Sequence, residues 1–157
     1  MDSVLDQKLC QTIRDLGFSR IPLCQDADDR TVVAIFLTKS LVSYDECGET
    51  IMQAFQRGKI KVRLPLYFTQ ETCLDRICLK FKSGESHMGI VVKDQGSANM
   101  LAEFSRTILN SIGNKSYEYV EIPENQILGI LTLENLIERI MNMDINDEKD
   151  LERSLKQ

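Results

Sequence analysis

Two polar residues near the end of the chain raise the first chemical question. Thr132 closes an apolar, β-prone run at 127–131 and opens the most regular helical stripe in the sequence, Leu133, Leu136, Ile137, Ile140 and Met141. Asn135 follows three positions later. A hydroxyl and free backbone N–H groups at a helix N-terminus attract anions, because the helix dipole and the orphan donors both favour negative charge there. The same pair also makes an ordinary helix cap, with Thr132 at the N-cap and Asn135 in the third helical position. Residue types and spacing alone leave both readings standing.

The other candidates lead away from catalysis. The five cysteines, Cys10, Cys24, Cys47, Cys73 and Cys78, form no CxxC pair, and the single histidine, His87, is not spaced to complete a metal set with them. They read as buried or half-buried free thiols of a reducing compartment. Ser86-His87-Met88 opens a strand, and His87 reads as structural there. Asp144-x-Asn146-x-Glu148 echoes a calcium loop, but Lys149 stands where such a loop needs glycine. Asp26, Asp28 and Asp29 read as a solvated turn. With no nucleophile–base pairing, no metal set and no Gly-rich phosphate loop, the sequence reads as non-catalytic.

The elements that must position these residues are legible from periodicity. Leu5, Leu9, Ile13 and Leu16 make one helical stripe that Gly17 closes. A short strand at 21–24, a polar turn at 25–30 and a β-prone run at 31–37 follow, then a short helix over 49–57. Val62, Leu64, Leu66 and Phe68 alternate on one face, and Pro65 confines that stretch to an edge or a strand entry. Thr72 and Asp75 resemble a capping box for a helix bearing Leu74, Ile77, Cys78 and Phe81, with Gly84 after it. A strand at 88–92 precedes a stretch at 93–126 too long for a hairpin loop, in which Leu101, Phe104 and Ile108 suggest a partial helix.

The chain has 157 residues, a formal net charge of −5, 43% hydrophobic and 27% charged residues. That suits one domain or two small halves sharing a core, and excludes wholesale disorder. The acidic balance argues against a nucleic-acid partner, which calls for a basic face. No apolar run approaches the ~18–20 residues of a membrane span, and no signal-peptide pattern opens the sequence.

The sequence repeats itself. Gly17-Phe18-Ser19-Arg20-Ile21-Pro22-Leu23 matches Gly84-Glu85-Ser86-His87-Met88-Gly89-Ile90 in pattern. Ala34 to Leu37 followed by Lys39, Ser40 and Leu41 matches Gly129 to Thr132 followed by Glu134, Asn135 and Leu136. Each half is thus helix, strand, strand, helix, and the two are expected to pack face to face because neither covers its own sheet.

These residues resemble a tandem cystathionine β-synthase (CBS) pair, or Bateman module. The segments GFSRIP (17–22), PLYF (65–68), FKSGESHMGIVV (81–92) and ILGILTLENLIERI (127–140) are similar to the cytosolic CBS pair of the cyclin-M/CorC family of magnesium-transport mediators. The resemblance implies an α/β (α+β) fold of two CBS subdomains, each built around a small sheet, packed with pseudo-twofold symmetry. Residues 1–60 would be the first CBS motif, lacking most of its first strand. Residues 61–143 would be the second, with the long loop 93–126, and 144–157 an acidic tail. It further implies a regulatory module on the cytosolic face of a membrane, attached to an upstream transmembrane domain and paired with a second copy through its helices.

The family binds adenine nucleotides between the halves, as ATP with Mg2+, or ADP or AMP. Carried over position by position, the resemblance places Thr132 and Arg20 on the phosphates, the latter by its fork of donors. Phe18 replaces a family tyrosine, and Ser19 and Glu134 flank the same motifs. Ile21, Pro22 and Ile130 line the adenine pocket. Asn135 stands where the family has an aspartate that accepts from both ribose hydroxyls, so binding is expected to be weak, by about 1–2 kcal/mol. The mirror site, with Leu37 and Ser40 in place of Thr132 and Asn135, is expected to be inactive. The competing reading is a structural dimerisation or protein-interaction module whose nucleotide site has decayed. The family's phosphatase partner engages an aspartate in the long loop. No Asp stands in the equivalent place around residues 113–117, which leaves that partner doubtful for the loop 93–126.

Overall fold

The computed structural model describes residues 3–24, 31–45, 48–110 and 126–141. The expected turn at 25–30, the loop tip at 113–117 and the acidic tail at 144–157 lie outside them. Helix α1 (Gln7–Leu16) starts at Asp6, whose carboxylate accepts the Leu9 N–H at 2.7 Å. It ends at Gly17, in the left-handed region with φ 69°, its N–H bonded to the Ile13 and Arg14 carbonyls. Strands β1 (Arg20–Cys24), β2 (Val32–Leu37) and β3 (Lys61–Arg63) form one antiparallel sheet in that order. A 3-10 turn (Thr38–Ser43) and α2 (Ile51–Gln56) lie between β2 and β3.

The second sheet has the order β4 (Leu66–Thr69), β5 (Met88–Val92), β6 (Ile127–Thr132), with β4 parallel and β6 antiparallel to β5. Helices α3 (Leu74–Lys82), α4 (Gln95–Asn110) and α5 (Leu133–Met141) complete it. The alternating run around Pro65 is therefore two strands in two sheets, broken at residues 64 and 65. Pro65 sits just before the edge strand β4, where its missing N–H is harmless. Because β3 belongs to the first sheet, that sheet extends past the expected division at residue 60.

The repeat is visible as α1–β1–β2–3-10 turn against α3–β5–β6–α5. Sheet register shifts the sequence match by one residue. Arg20 lies opposite Leu37, while Met88 lies opposite Thr132. Ser19 and His87 are thus equivalent, because the link from the helix-ending Gly to the strand is one residue longer in the second half. Backbone bonds agree: Thr38 N–H donates to the Ser19 carbonyl at 3.2 Å, and Leu133 N–H to the His87 carbonyl at 3.0 Å.

The two sheets face each other, as expected. Every residue of β2 but the last is buried. Val33, Ala34 and Phe36 join the core under α1 and α2 with Cys10, Ile13 and Leu41. Val32 and Ile35 instead meet Met88, Ile90 and Val92 of β5. Behind the second sheet, Phe68, Ile77, Phe81 and Leu136 form a third cluster, with Phe68 and Phe81 edge to face at 5.8 Å between ring centroids. Leu136 belongs to this internal cluster, whereas Ile140 and Met141 remain exposed.

Much of the expected long loop is structure. Helix α4 occupies its first half and carries core residues into both halves: Ala98 and Leu101 join the sheet-to-sheet core, and Phe104 and Ile108 the core under α1. Asp94 starts it by accepting the Ser97 N–H at 2.8 Å. That bond, then the one from the Ser97 hydroxyl, holds its carboxyl below its ordinary value. Tyr67 ties α4 to both sheets, its hydroxyl donating to the Val32 carbonyl at 2.8 Å and lying 2.8 Å from Ser105 Oγ.

Two local expectations differ. The N-cap of α3 is Cys73 without a side-chain bond, not Thr72. The Thr72 hydroxyl is used one turn earlier, accepting the Thr69 N–H at 3.0 Å. Ahead of α1, Val4 makes a single antiparallel bridge to Thr50. Beside it, buried Glu49 pairs with Lys59 at 2.9 Å and Arg57 at 3.0 Å, and Lys59 leads the contacts that hold its carboxyl below the ordinary range.

Two predictions test this packing. A Cβ on Gly89 would overlap the Phe68 ring, whereas one on Gly129 meets nothing. In chemical denaturation, Gly89→Ala is expected to cost about 1–3 kcal/mol, and Gly129→Ala to cost nothing. Burial pushes the Tyr67 hydroxyl from 10.0 up to about 12. A raised phenol value means that the folded state holds its proton more tightly. Stability from Tyr67 is therefore full below pH 10 and declines between about 10 and 12. Melting temperatures of Tyr67→Phe should start lower at neutral pH and fall less over that interval.

Candidate functional site

The strand-to-helix corner at β6–α5 is a closed polar knot. Thr132 Oγ1 donates to Asn135 Oδ1 at 2.8 Å, Thr132 N–H donates to the same oxygen at 3.1 Å, and Asn135 N–H donates to Thr132 Oγ1 at 3.2 Å. This is a reciprocal capping box, with Asn doing what Glu or Gln usually does. Leu133 N–H is engaged as well, by His87. The helix head keeps its dipole, but the Leu133 and Asn135 N–H groups already have partners.

Arg20 crosses between the halves. From the first residue of β1, its guanidinium Nη2 lies 3.1 Å from His87 Nδ1. Since arginine only donates, His87 Nδ1 accepts and its ring proton belongs on Nε2. The His87 carbonyl in turn takes the Leu133 N–H, so Arg20 is coupled to the head of α5 through one residue. His87, set aside on sequence as structural, is thus the hinge of the candidate site. The usable signal was the repeat: Arg20 and His87 both stand where a strand follows a helix-ending Gly, and a pseudo-twofold brings such corners together.

The remaining expected site residues divide. Ile21 and Pro22 continue β1, half-buried. Ile130 is 48% exposed, and Glu134 in the first turn of α5 is exposed. Phe18, 53% exposed, and Ser19 line a cavity of about 470 Å3 with Arg14, Arg20 and Lys39. That cavity lies at the mirror corner and does not include Thr132 or Asn135. Two hydroxyls at this corner are engaged by the backbone. Thr38 Oγ1 donates to the Phe18 carbonyl at 2.6 Å, and Ser40 Oγ donates to the Leu37 carbonyl at 2.6 Å while accepting the Lys61 N–H at 3.1 Å. Thr38, Lys39 and Arg14 were not singled out from sequence, where their corner reads as a degenerate copy.

Among the described residues, no group of three or more His, Cys, Asp or Glu side chains could hold a metal ion. Nor is any described helix long and apolar enough to cross a membrane.

Comparison with known proteins returns the resemblance read from the motifs. No family model matches the chain. It is 27% identical to the protein MAM3 of Saccharomyces cerevisiae over 154 residues, and 26% identical to the metal transporter cnnm-1 of Caenorhabditis elegans over 150 residues. These alignments take in 96% and 95% of the chain but only 17% and 16% of the relatives, so the chain spans about a sixth of their length. Among solved structures it is similar to the CBS domain of the bacterial CNNM/CorC family Mg2+ transporter in complex with ATP, with TM-score 0.56 and 18% identity. That match covers 90% of this chain and 77% of the other. A second structure of that CBS domain aligns with TM-score 0.57 and 21% identity, over 93% of this chain and 67% of the other. The fold is that of the CBS domain.

Without its hydroxyl, Thr132→Ala loses the cap and is expected to destabilise the ligand-free protein by about 0.5–2 kcal/mol in urea titrations. Nitrogen shifts of the His87 ring at neutral pH should report the Nε2–H form, and the Nδ1–H form would contradict the contact with Arg20.

Proposed function

We propose that the chain is a non-catalytic CBS-pair module of a magnesium or divalent-cation transport mediator, binding Mg-ATP weakly between its halves. The observation that carries the reading is the Arg20 guanidinium reaching across to His87 beside the head of α5. It supports a site in which one half contributes a fork of donors and the other a hydroxyl and a helix N-terminus. Thr132 and Arg20 would hold phosphate oxygens, Asn135 the ribose, and Ile21, Pro22 and Ile130 the base, with Phe18, Ser19 and Glu134 at the margin. ATP supplies the anion, its Mg2+ lowering the repulsion from a chain of net charge −5.

These residues also account for weak binding. Arg20 must leave His87, and Asn135 must give up bonds to Thr132, before either can serve a ligand. Each exchanged hydrogen bond is worth about 0.5–1.5 kcal/mol. Affinity is therefore held roughly tenfold or more below that of a site with free donors.

The module would act as a homodimer, held on the cytosolic face of a membrane by a transmembrane domain elsewhere in the full protein. Exposed apolar residues on the helical side support the pairing: Val42 at 89%, Leu79 at 65%, and Ile140 and Met141 each at 57%. Ligand binding would then bias the dimer between forms, by no more than its difference in affinity for them.

A second reading, a dimerisation module with a decayed site, is favoured by the completed capping box at Thr132 and Asn135. Calorimetry and thermal shift with ATP, ADP and AMP, with and without Mg2+, separate the two. On the first reading, millimolar Mg-ATP raises the melting temperature, Arg20→Gln abolishes the effect, and Asn135→Asp tightens binding about tenfold. An unchanged melting temperature, with sedimentation still reporting a dimer, establishes the second.

A further inference from the structure

A concavity outside the candidate site lies at the edge of the second sheet. It occupies about 410 Å3 along the free edge of β4, between α3, α4 and the link from β3. That volume falls within the range typical of small-molecule sites, about 300–1,000 Å3. Helix α4 gives it one wall through Gln95, Ala98, Asn99, Ala102 and Arg106, a single face at helical spacing. The space exists because Ala98 and Ala102, one turn apart, are too small to fill it against the strand. Pro65 and Phe68 are buried and Leu66 half-buried, making an apolar floor.

The rim has the opposite character. Arg63, Lys80 and Arg106 are exposed around the cavity, against one carboxylate, Glu85. This concentration of positive charge stands on a chain whose net charge is −5. The ion pairs at Glu49 engage Arg57 and Lys59 and none of these three cations. Gln95 and Asn99 bond to each other at 3.0 Å and add further amide groups.

We propose that this cavity binds a small organic anion, with a flat apolar body on the Pro65–Leu66–Ala102 floor and an acidic head group held by Arg63, Arg106 and Lys80. Two arginines on the rim suit a carboxylate, sulfonate or phosphate, because their planar forks bond such groups in pairs. The position gives the ligand leverage. Arg63 ends the last strand of the first sheet, Leu66 begins the second sheet, and α4 packs on β2 as well as β4. An occupant therefore touches the joint between the halves, on residues separate from Arg20, Thr132 and Asn135.

The experiment is a fluorescence titration of the purified chain with 1-anilinonaphthalene-8-sulfonate, competed by inorganic pyrophosphate. Saturable binding at one site is expected. Arg63→Gln with Arg106→Gln should weaken it roughly tenfold or more, through two lost charge-assisted contacts. Ala102→Phe, which fills the cavity, should abolish it with the circular dichroism spectrum unchanged, and Arg20→Gln should leave it intact. The double variant removes only exposed charges, so its folding is not at issue. The proposal is overturned if the double variant binds the dye like the parent chain, if uncharged N-phenyl-1-naphthylamine binds as tightly, or if an acidic peptide binds while the dye does not. Because Mg-ATP binding is scored on Arg20 and Asn135, either site can fail without the other.

Discussion

The contact between β2 and β5 is the constraint on which the rest of this molecule depends. Three-stranded sheets this short cannot cover both of their own faces, so Val32 and Ile35 of one must be shielded by Met88, Ile90 and Val92 of the other. Burying an aliphatic side chain of this size stabilises by about 1.5–3 kcal/mol. A handful of them is comparable to the net stability of a whole domain, about 5–15 kcal/mol. The halves are therefore one folding unit, and the polar corners at the ends of their strands are brought together as a consequence of that apolar contact.

Helix α4 reinforces the same contact. It enters the chain between β5 and β6, and places Ala98 and Leu101 against the shared core and Phe104 and Ile108 against the first half. Tyr67 then fastens it by the Val32 carbonyl and Ser105. A helix pinned to both sheets resists their separation, so any ligand-driven change in the angle between the halves must move α4 or bend the joint at residues 64 and 65.

At the candidate site, the cap of α5 uses the atoms that the proposed ligand would need. Thr132 and Asn135 satisfy each other, and Arg20 is matched by the one histidine of the chain. A buried or half-buried polar group left without a partner is costly, so a site that must exist without ligand needs internal partners. An aspartate at position 135 would hold a charge that a neutral amide lacks. The amide makes the self-capped state easier to keep and would make the proposed liganded state harder to reach.

Periodicity and punctuation determined much of the fold directly. The stripes of α1 and α5, the Gly17 terminus, the uniformly apolar β2 and the internal repeat depend on local pattern and on which faces need cover, and those are written residue by residue. The motifs likewise carried the CBS resemblance. Tertiary structure decided what depends on partners distant in sequence. It split the alternating run at Pro65 between two sheets, and it took the Thr72 hydroxyl away from capping α3. It laid the helix expected from Leu101, Phe104 and Ile108 across the cores of both halves. Sheet register alone could set Ser19, rather than Arg20, equivalent to His87, because a one-residue difference in a connecting link leaves no trace in hydrophobic pattern. The cavity beside β4 was equally hidden, since it arises where separate elements converge and has no spacing that sequence can display.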